Sequence, residues 1–445
     1  MPQPHTTLPR LATGLALAGA LALASCEKDA CEQTWTQRMS VPITLDRAVV
    51  HDSIGAEAPL PLCVGGGIYA YERYLFVNRR GEGYHVLDNA DPANPVNASF
   101  LRVPGATQMA FVDGRLVSDS YADLVVLEFG GPDDVRLASW TPNFLVTDHS
   151  IPLHGGLVVL DYEAREVRFE EDCSGAVRGS YPGCGGSAFV DCARVDFAAD
   201  ANFSAERTGG LSGGAVNVAG SLSRFAFAGE HLYVIDDAQV ASYVVEADTL
   251  RPTSREYVGW GLETAVAREG FLYLGAQTGM HILALDDPEA PRHVSTYDHF
   301  TACDPVAVEG DVALVTLRSG RDCGRAAENV LVALDISDRA APVRRAQVRL
   351  TNPTGVALHE GTAYVCDGPA GLRTFDVAGG LLADLGERER QVVEGREMRD
   401  VAILPYTGHL SVLTTGPDHV TQLTPTARGE LVEVSSLGAE TCTPR

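Results

Sequence analysis

The sequence predicts an all-β chain: one β-propeller of seven four-stranded blades, with eight blades as the alternative, closed so that no sheet edge is left over. The first observation is a returning phrase, a small-apolar strand, a Gly-containing turn and a strand rich in Leu, Tyr and Val. It reads TQMAFVDGRLV at 107–117, SRFAFAGEHLYV at 223–234, ETAVAREGFLYL at 263–274, DPVAVEGDVALV at 304–315 and TGVALHEGTAYV at 354–365. Looser copies are IYAYERYLFV at 68–77 and MRDVAILPYTGHLSV at 398–412. The second observation is spacing. The aligned residues of the second strand are Phe76, Val117, Tyr233, Tyr273, Leu314, Tyr364 and Ser411, 40 to 50 apart except for the 116 that separate Val117 from Tyr233. The third observation is the continuation of each phrase. Third strands such as GYHVLD (83–88), MHILALD (280–286) and NVLVALDI (329–336) run into the turns DNADPANP (88–95), DDPEAP (286–291) and DISDRAAP (335–342). There Asp starts an Asx turn and Pro halts the ladder, so a fourth strand can reverse direction.

In chain order, residues 1–25 read as a lipoprotein signal peptide. A single Arg, Arg10, precedes an apolar stretch from Leu11 to Ala24 that is too short to span a bilayer, and Leu23-Ala24-Ser25-Cys26 has the form of a lipobox. Cys26 is the expected lipidated N-terminus of a tether over 26–64, which makes the membrane a partner through the lipid. Glu27, Lys28 and Asp29 resemble the lysine-plus-acid tag of lipoproteins carried to the outer face of the outer membrane. The expected location is therefore the bacterial outer membrane, periplasm-facing or surface-exposed. Blades 1 and 2 are expected over 65–142 and blades 3 to 7 over 221–437. A Gly- and Cys-containing insertion over 143–220 interrupts them, and 438–445 form a tail. Within the insertion, FLVTD (144–148), GGLVVLDY (155–162) and REVRFEE (165–171) read as three strands, of a vestigial eighth blade or an extended hairpin.

Arg10 is the only charged residue of 1–25, so the rest of the chain carries 33 basic and 59 acidic side chains. A surface this acidic repels nucleic acid and anionic headgroups. Ten cysteines in an exported chain point to disulfides. Cys303 and Cys323 fall in two loops that emerge on one face of blade 5 and are expected to be bridged. Cys31, Cys63 and Cys442 flank the two ends of the ring, where a bridge would staple its closure. Cys366 ends a strand and reads as a buried free thiol.

A propeller usually works from the face that bears the loops entering first strands and joining second to third strands. That face collects Arg79, Arg80, Glu82, Asp119, Asp123, Asp236, Asp237, Glu263, Gln277, Asp304, Arg318, Asp322, Asp367, Arg399, Asp400 and Asp418. Of these, Asp119, Glu263, Asp304, Arg318 and Asp367 are the candidate ligand-binding residues, since converging carboxylates with an Arg suit a cation, an amine or a sugar. The competing reading makes each Asp a turn former. No segment has the form of a calcium loop, a zincin His pair or a nucleophile elbow, so no metal, cofactor or catalytic residue is assigned.

The VLDxxDPxxP-flavoured strand phrases resemble the LVIVD repeat of exported bacterial proteins over 65–142 and 221–437. The stretches GWGLETA (259–265), GAQTGMHI (275–282), CDPVAV (303–308), VTLRSGRDCG (315–324) and VCDGPAGL (365–372) resemble one lipoprotein branch of that group more closely. The resemblance implies a propeller and an envelope address, and no reaction. GGLLADLG (379–386) departs from the pattern and blurs the last strand of blade 6. Three functions are expected: a non-catalytic binding or scaffolding module for an envelope protein or glycan, a carbohydrate-active enzyme using top-face carboxylates, or a structural envelope component.

Overall fold

The computed structural model describes residues 33–112, 114–142, 157–171, 177–179, 217–219, 222–236, 238–246, 249–299, 305–319, 329–380, 384–406, 409–440 and 442. Two compact units divide the chain, one of residues 42–162 and 205–445 and one of residues 1–41 and 163–204. The larger holds the propeller. Seven consecutive antiparallel meanders, each in the strand order of the sequence, run 68–102, 109–141, 225–257, 262–298, 306–349, 355–393 and 400–438. First strands of neighbouring blades lie against one another around the axis.

Each blade forms for local reasons. The first hairpins turn on pairs such as Glu269–Gly270 and Glu360–Gly361, with φ of 50° and 78° and of 47° and 70°. Two left-handed residues in succession match the twist of the flanking strands. The Asx turns form as the sequence requires. The Asp88, Asp287, Asp335 and Asp376 carboxylates accept the N–H of Ala90, Glu289, Ser337 and Ala378. Every blade also carries a bulge between its third and fourth strands, after Val86, Ser242, Ile282, Ala333, Thr374 and Gln422 and between Val126 and Leu127 in blade 2. The extra fourth-strand residue sharpens the local twist, which lets the outer strand bend away from the flatter inner three.

Seven apolar clusters fill the seven interfaces between blades. Tyr69, Phe76, Tyr84, Phe111 and Leu127 fill that between blades 1 and 2, and Tyr273, Ile282, Val315, Val332 and Ile336 that between 4 and 5. The third-to-fourth-strand turns then tie each blade to its predecessor. The Tyr233 hydroxyl of blade 3 donates to the Pro288 carbonyl of blade 4 at 2.9 Å. Arg339 of blade 5 reaches Glu269 of blade 4 at 3.3 Å.

Closure uses no exchanged strand, because blades 1 and 7 are each built from one contiguous segment. Three devices replace it. Ile68, Leu75, Val77 and Leu87 pack against Ala402, Leu404, Leu413 and Val420. Gln422 Nε2 of blade 7 donates to Asn89 Oδ1 of blade 1 at 2.6 Å, repeating the turn tie used elsewhere. The disulfide Cys63–Cys442 joins the two chain ends of the ring, beside a parallel bridge of Cys63 with Glu440. This is the staple expected at the ring's ends, and Cys442 is the partner.

Blade 1 is extended at both edges. Gly55–Glu57 pairs with its fourth strand, locked by an ion pair of Arg102 with Glu57 at 2.5 Å. Asn217–Ala219 pairs with its first strand and neighbours the first strands of blades 2 and 7, so it runs inside the ring. A helix, Arg47–Asp52, starts where the Asp46 carboxylate accepts the Ala48 N–H.

The ring has the expected seven blades, and the structure corrects two other expectations. Residues 155–171 do not form two strands, because Leu157–Glu171 is one strand, in a sheet with Gln33–Asp46 and Val177–Gly179, where Trp35 stacks on Phe169. Residues 144–148 lie outside the described residues. In blade 7 the ladder equivalent of Tyr364 is Leu413 rather than Ser411. Tyr364 pairs with Thr374 at the bulge, and Leu413 pairs with Gln422 at its own. The first hairpin of blade 7 is two residues longer in each arm, so counting from the turn lands two residues short. Blade 6 keeps its fourth strand at Glu389–Val393, after short 3-10 turns at Ala378–Gly380 and Leu385–Arg388.

Candidate functional site

Of the eight described acids expected on the top face, four (Asp119, Asp123, Asp367 and Asp400) are turned inward and serve the ring itself. Asp119 ends the second strand of blade 2 and is almost wholly buried. Its carboxylate accepts the N–H of Thr107 at 2.7 Å, the N–H of Gln108 at 2.8 Å and the Thr107 hydroxyl. Asp367 holds the same place in blade 6 and accepts the N–H of Thr351 and Asn352, both at 2.7 Å. Arg373 pairs with its other oxygen at 3.2 Å. In both blades the acid pins the loop that enters the blade's first strand. Burial raises the pKa of Asp119, and the bonds from Thr107 and Gln108 oppose the rise.

The remaining acids divide in the same way. Asp123 is buried against Arg47 at 2.6 Å and His51 at 3.2 Å. Asp400 accepts the Ile68 N–H at 3.3 Å, across the closing interface. Asp236 caps its own loop through Ala238 and Gln239. Arg79 pairs with Glu82 at 3.0 Å, and Arg399 pairs with Glu397 at 2.7 Å. Asp418 is exposed, and the His419 imidazole bonded to it lowers its pKa. Arg80 is exposed, and Arg318 lies half-buried at the end of the second strand of blade 5. Cys26, Asp237, Cys303, Asp304, Asp322 and Cys323 lie outside the described residues. The five candidates are thus not brought together as a converging set: Asp119 and Asp367 are anchors in separate blades.

One cluster on this face is different. Glu263, half-buried at the start of blade 4, accepts from Gln277 Nε2 at 3.2 Å. Two aromatic side chains stand in solvent just before that strand, Tyr257 at the end of the fourth strand of blade 3 at 62% exposure and Trp260 in the connecting loop at 67%. Below them His281 is 7% exposed. Its Nδ1 shares a bond with Thr296 Oγ1 at 2.9 Å, as does His293 Nε2 from the other side. Burial, helped by the neighbouring His293, lowers the pKa of His281 to about 4, so the ring is neutral at pH 7. Sequence reasoning names Glu263 and Gln277 but misses Tyr257 and Trp260.

Cys366 is free and buried between blades 6 and 7, as expected. Burial raises its pKa well above the ordinary thiol value, and the Asp400 and Asp367 carboxylates add to the rise. A thiol so protected is not nucleophilic. In the native protein it is expected to resist iodoacetamide and to label fully in denaturant; native labelling at a comparable rate would contradict this placement.

No family model matches the chain, and no curated protein does. Solved structures similar to it share the propeller form at low identity. BamB from Moraxella catarrhalis is 10% identical, with 90% of this chain and 100% of that one covered and a TM-score of 0.40. Sqt1 from Saccharomyces cerevisiae is 10% identical, with 82% and 97% covered and a TM-score of 0.43. The computationally designed protein Ika8 is 11% identical, with 76% and 89% covered and a TM-score of 0.39.

Proposed function

We propose that this chain is a non-catalytic binding or scaffolding module of the bacterial cell envelope, tethered through a lipid on Cys26 and built on LVIVD-type repeats. The observation that carries the reading is the fate of the top-face acids. General acid–base chemistry needs carboxyl groups aimed at a substrate. Here Asp119, Asp123, Asp367 and Asp400 are buried and bound to backbone N–H groups or to Arg and His side chains. The lipobox supports the address, and a rigid closed ring suits recognition by its loops.

Two measurements on the same protein test this. In-cell cross-linking of a C-terminally tagged chain, recovered from the membrane pellet, is expected to capture a stoichiometric envelope protein or glycan. Incubation of the purified chain with envelope and environmental polysaccharides is expected to release no reducing ends. Release that is lost in Glu263→Gln at unchanged Tm would replace the reading with a hydrolase. Recovery only in the soluble fraction would remove the tether.

A further inference from the structure

The loop at 258–261 is built as a platform. Gly259 and Gly261 flank Trp260, and both are needed. A Cβ at Gly259 would lie 3.2 Å from His281 Nε2, and one at Gly261, whose φ is +74°, would lie 2.9 to 3.1 Å from the Gln277 side chain. The loop is pressed onto those two residues and fixed by backbone bonds. Val258 and Gly259 donate to the Ala238 carbonyl at 3.0 and 3.3 Å, and Gln277 N–H donates to the Gly261 carbonyl at 2.9 Å. Holding an indole rigid in solvent sacrifices apolar burial. Trp260 and Tyr257, three residues apart, lie within about 11 Å of each other along the chain.

Polar groups stand at the same place. Gln277 donates one N–H to Glu263 and keeps its carbonyl oxygen and second N–H unengaged among the described residues. His281 Nε2, directly beneath Gly259, is buried with no hydrogen-bond partner among the described residues. A buried polar atom left this way costs about 1–3 kcal/mol.

We infer that the top of blade 4 is a subsite for a neutral polysaccharide, with the Trp260 indole stacking on the apolar face of a pyranose and Gln277 and Glu263 bonding its hydroxyl edge. The chemistry selects this class. A pyranose ring presents C–H groups on one face and hydroxyls around its rim, matching an exposed aromatic beside an amide and a carboxylate. An anionic chain is repelled by a protein of net charge −25. A cation would compete with the Gln277 amide for Glu263. The inference rests on the binding-module reading and deepens it.

The test uses the full chain, purified in detergent, with Trp35→Phe and Trp140→Phe leaving Trp260 as the single indole of the three. Maltohexaose, cellohexaose and chitohexaose are titrated to millimolar concentration while Trp260 fluorescence is followed. A saturable blue shift with at least one sugar is expected. Trp260→Ala in the otherwise native chain should weaken retention on the matching polysaccharide gel by about tenfold or more at unchanged Tm, with Trp260→Phe intermediate. No response to any of the three, or unchanged retention of Trp260→Ala, overturns the subsite and leaves the binding module standing. Trp260-dependent capture of a stoichiometric protein in the cross-linking experiment also overturns it, in favour of a protein partner. Cleavage of a hexaose would instead overturn the binding-module reading.

Discussion

Cys63→Ser and Cys442→Ser are expected each to lower the stability of the ring by several kcal/mol, and the double variant to be no worse than either single. The reasoning starts from topology. Blades 1 and 7 meet without sharing a strand. The pairing there is the short bridge of Cys63 with Glu440, so no full backbone ladder locks the last interface. Its apolar cluster resembles those of the other six interfaces. Elsewhere in the ring the chain runs on from one blade to the next, with the segment 142–224 between blades 2 and 3, but not here. The two faces are 379 residues apart in sequence at the disulfide, and bringing them together carries the largest loop-closure cost in the ring. In the chain-entropy model a bridge across a loop of this length contributes about 6 kcal/mol, and measured disulfide contributions run from about 0 to 5 kcal/mol. The variants are preferable to reductant, which would also act on the other cysteines. Amide exchange should rise first in 68–77 and 400–415, the two sides of the opened seam, before the middle of the ring loosens. An unchanged denaturation midpoint in both single variants would mean that the packing of blade 7 on blade 1 and the Asn89–Gln422 pair close the ring unaided.

What the sequence reveals and what it hides depend on the range of the forces involved. The strands and turns of every blade are legible because they are set within a few residues: alternation of apolar side chains, left-handed turn pairs, Asp that caps its own turn. Seven copies at near-constant spacing then imply a ring, and a ring implies that cysteines near its two ends lie close together, as Cys63 and Cys442 do. Non-local pairing is hidden. Leu157–Glu171 reads as two strands until Gln33–Asp46 is placed beside it, and nothing at 55–57 or 217–219 announces that these residues extend blade 1 at its two edges. The longer hairpin of blade 7 misleads for a related reason. Counting from a turn assumes equal arms, and only the ladder shows that Leu413 stands opposite Gln422. The site is the least legible part. An Asp at the end of a second strand looks the same whether it faces a ligand or accepts two N–H groups from the next loop, and Asp119 and Asp367 do the latter. Exposure of Trp260 and burial of His281 are tertiary facts with no local sequence mark.

Acidification from pH 6.5 to 4 is expected to destabilise the fold, with His85 as the largest identified contributor. His85 is fully buried in the third strand of blade 1, edge-on to Phe100, and its Nε2 accepts the N–H of Cys63 at 3.2 Å. Nε2 must therefore be unprotonated, and Nδ1 carries the ring hydrogen. Burial, reinforced by the nearby Arg79 charge, lowers its pKa from 6.5 to about 4. The unfolded chain binds this proton below pH 6.5 and the folded chain only below about 4. The unfolded state holds more protons throughout that window, so stability falls as the pH falls through it and is fully present above it. For His85 the whole effect is about 3 kcal/mol. His281, lowered to a similar value, adds a contribution of the same sign. Asp119 works in the opposite direction, since an acid whose pKa is raised by burial takes up its proton earlier in the folded state. The carboxylates held low by hydrogen bonds, such as Asp91 and Asp376, lose their contributions at lower pH. His85→Gln keeps an acceptor for the Cys63 N–H and removes the titration. Denaturant midpoints from pH 7 to 4 should then fall less steeply than in the parent, by close to one linked proton, or about 1.4 kcal/mol per pH unit. A slope that His85→Gln leaves unchanged would mean that His85 is not held neutral at the edge of the ring's closing staple.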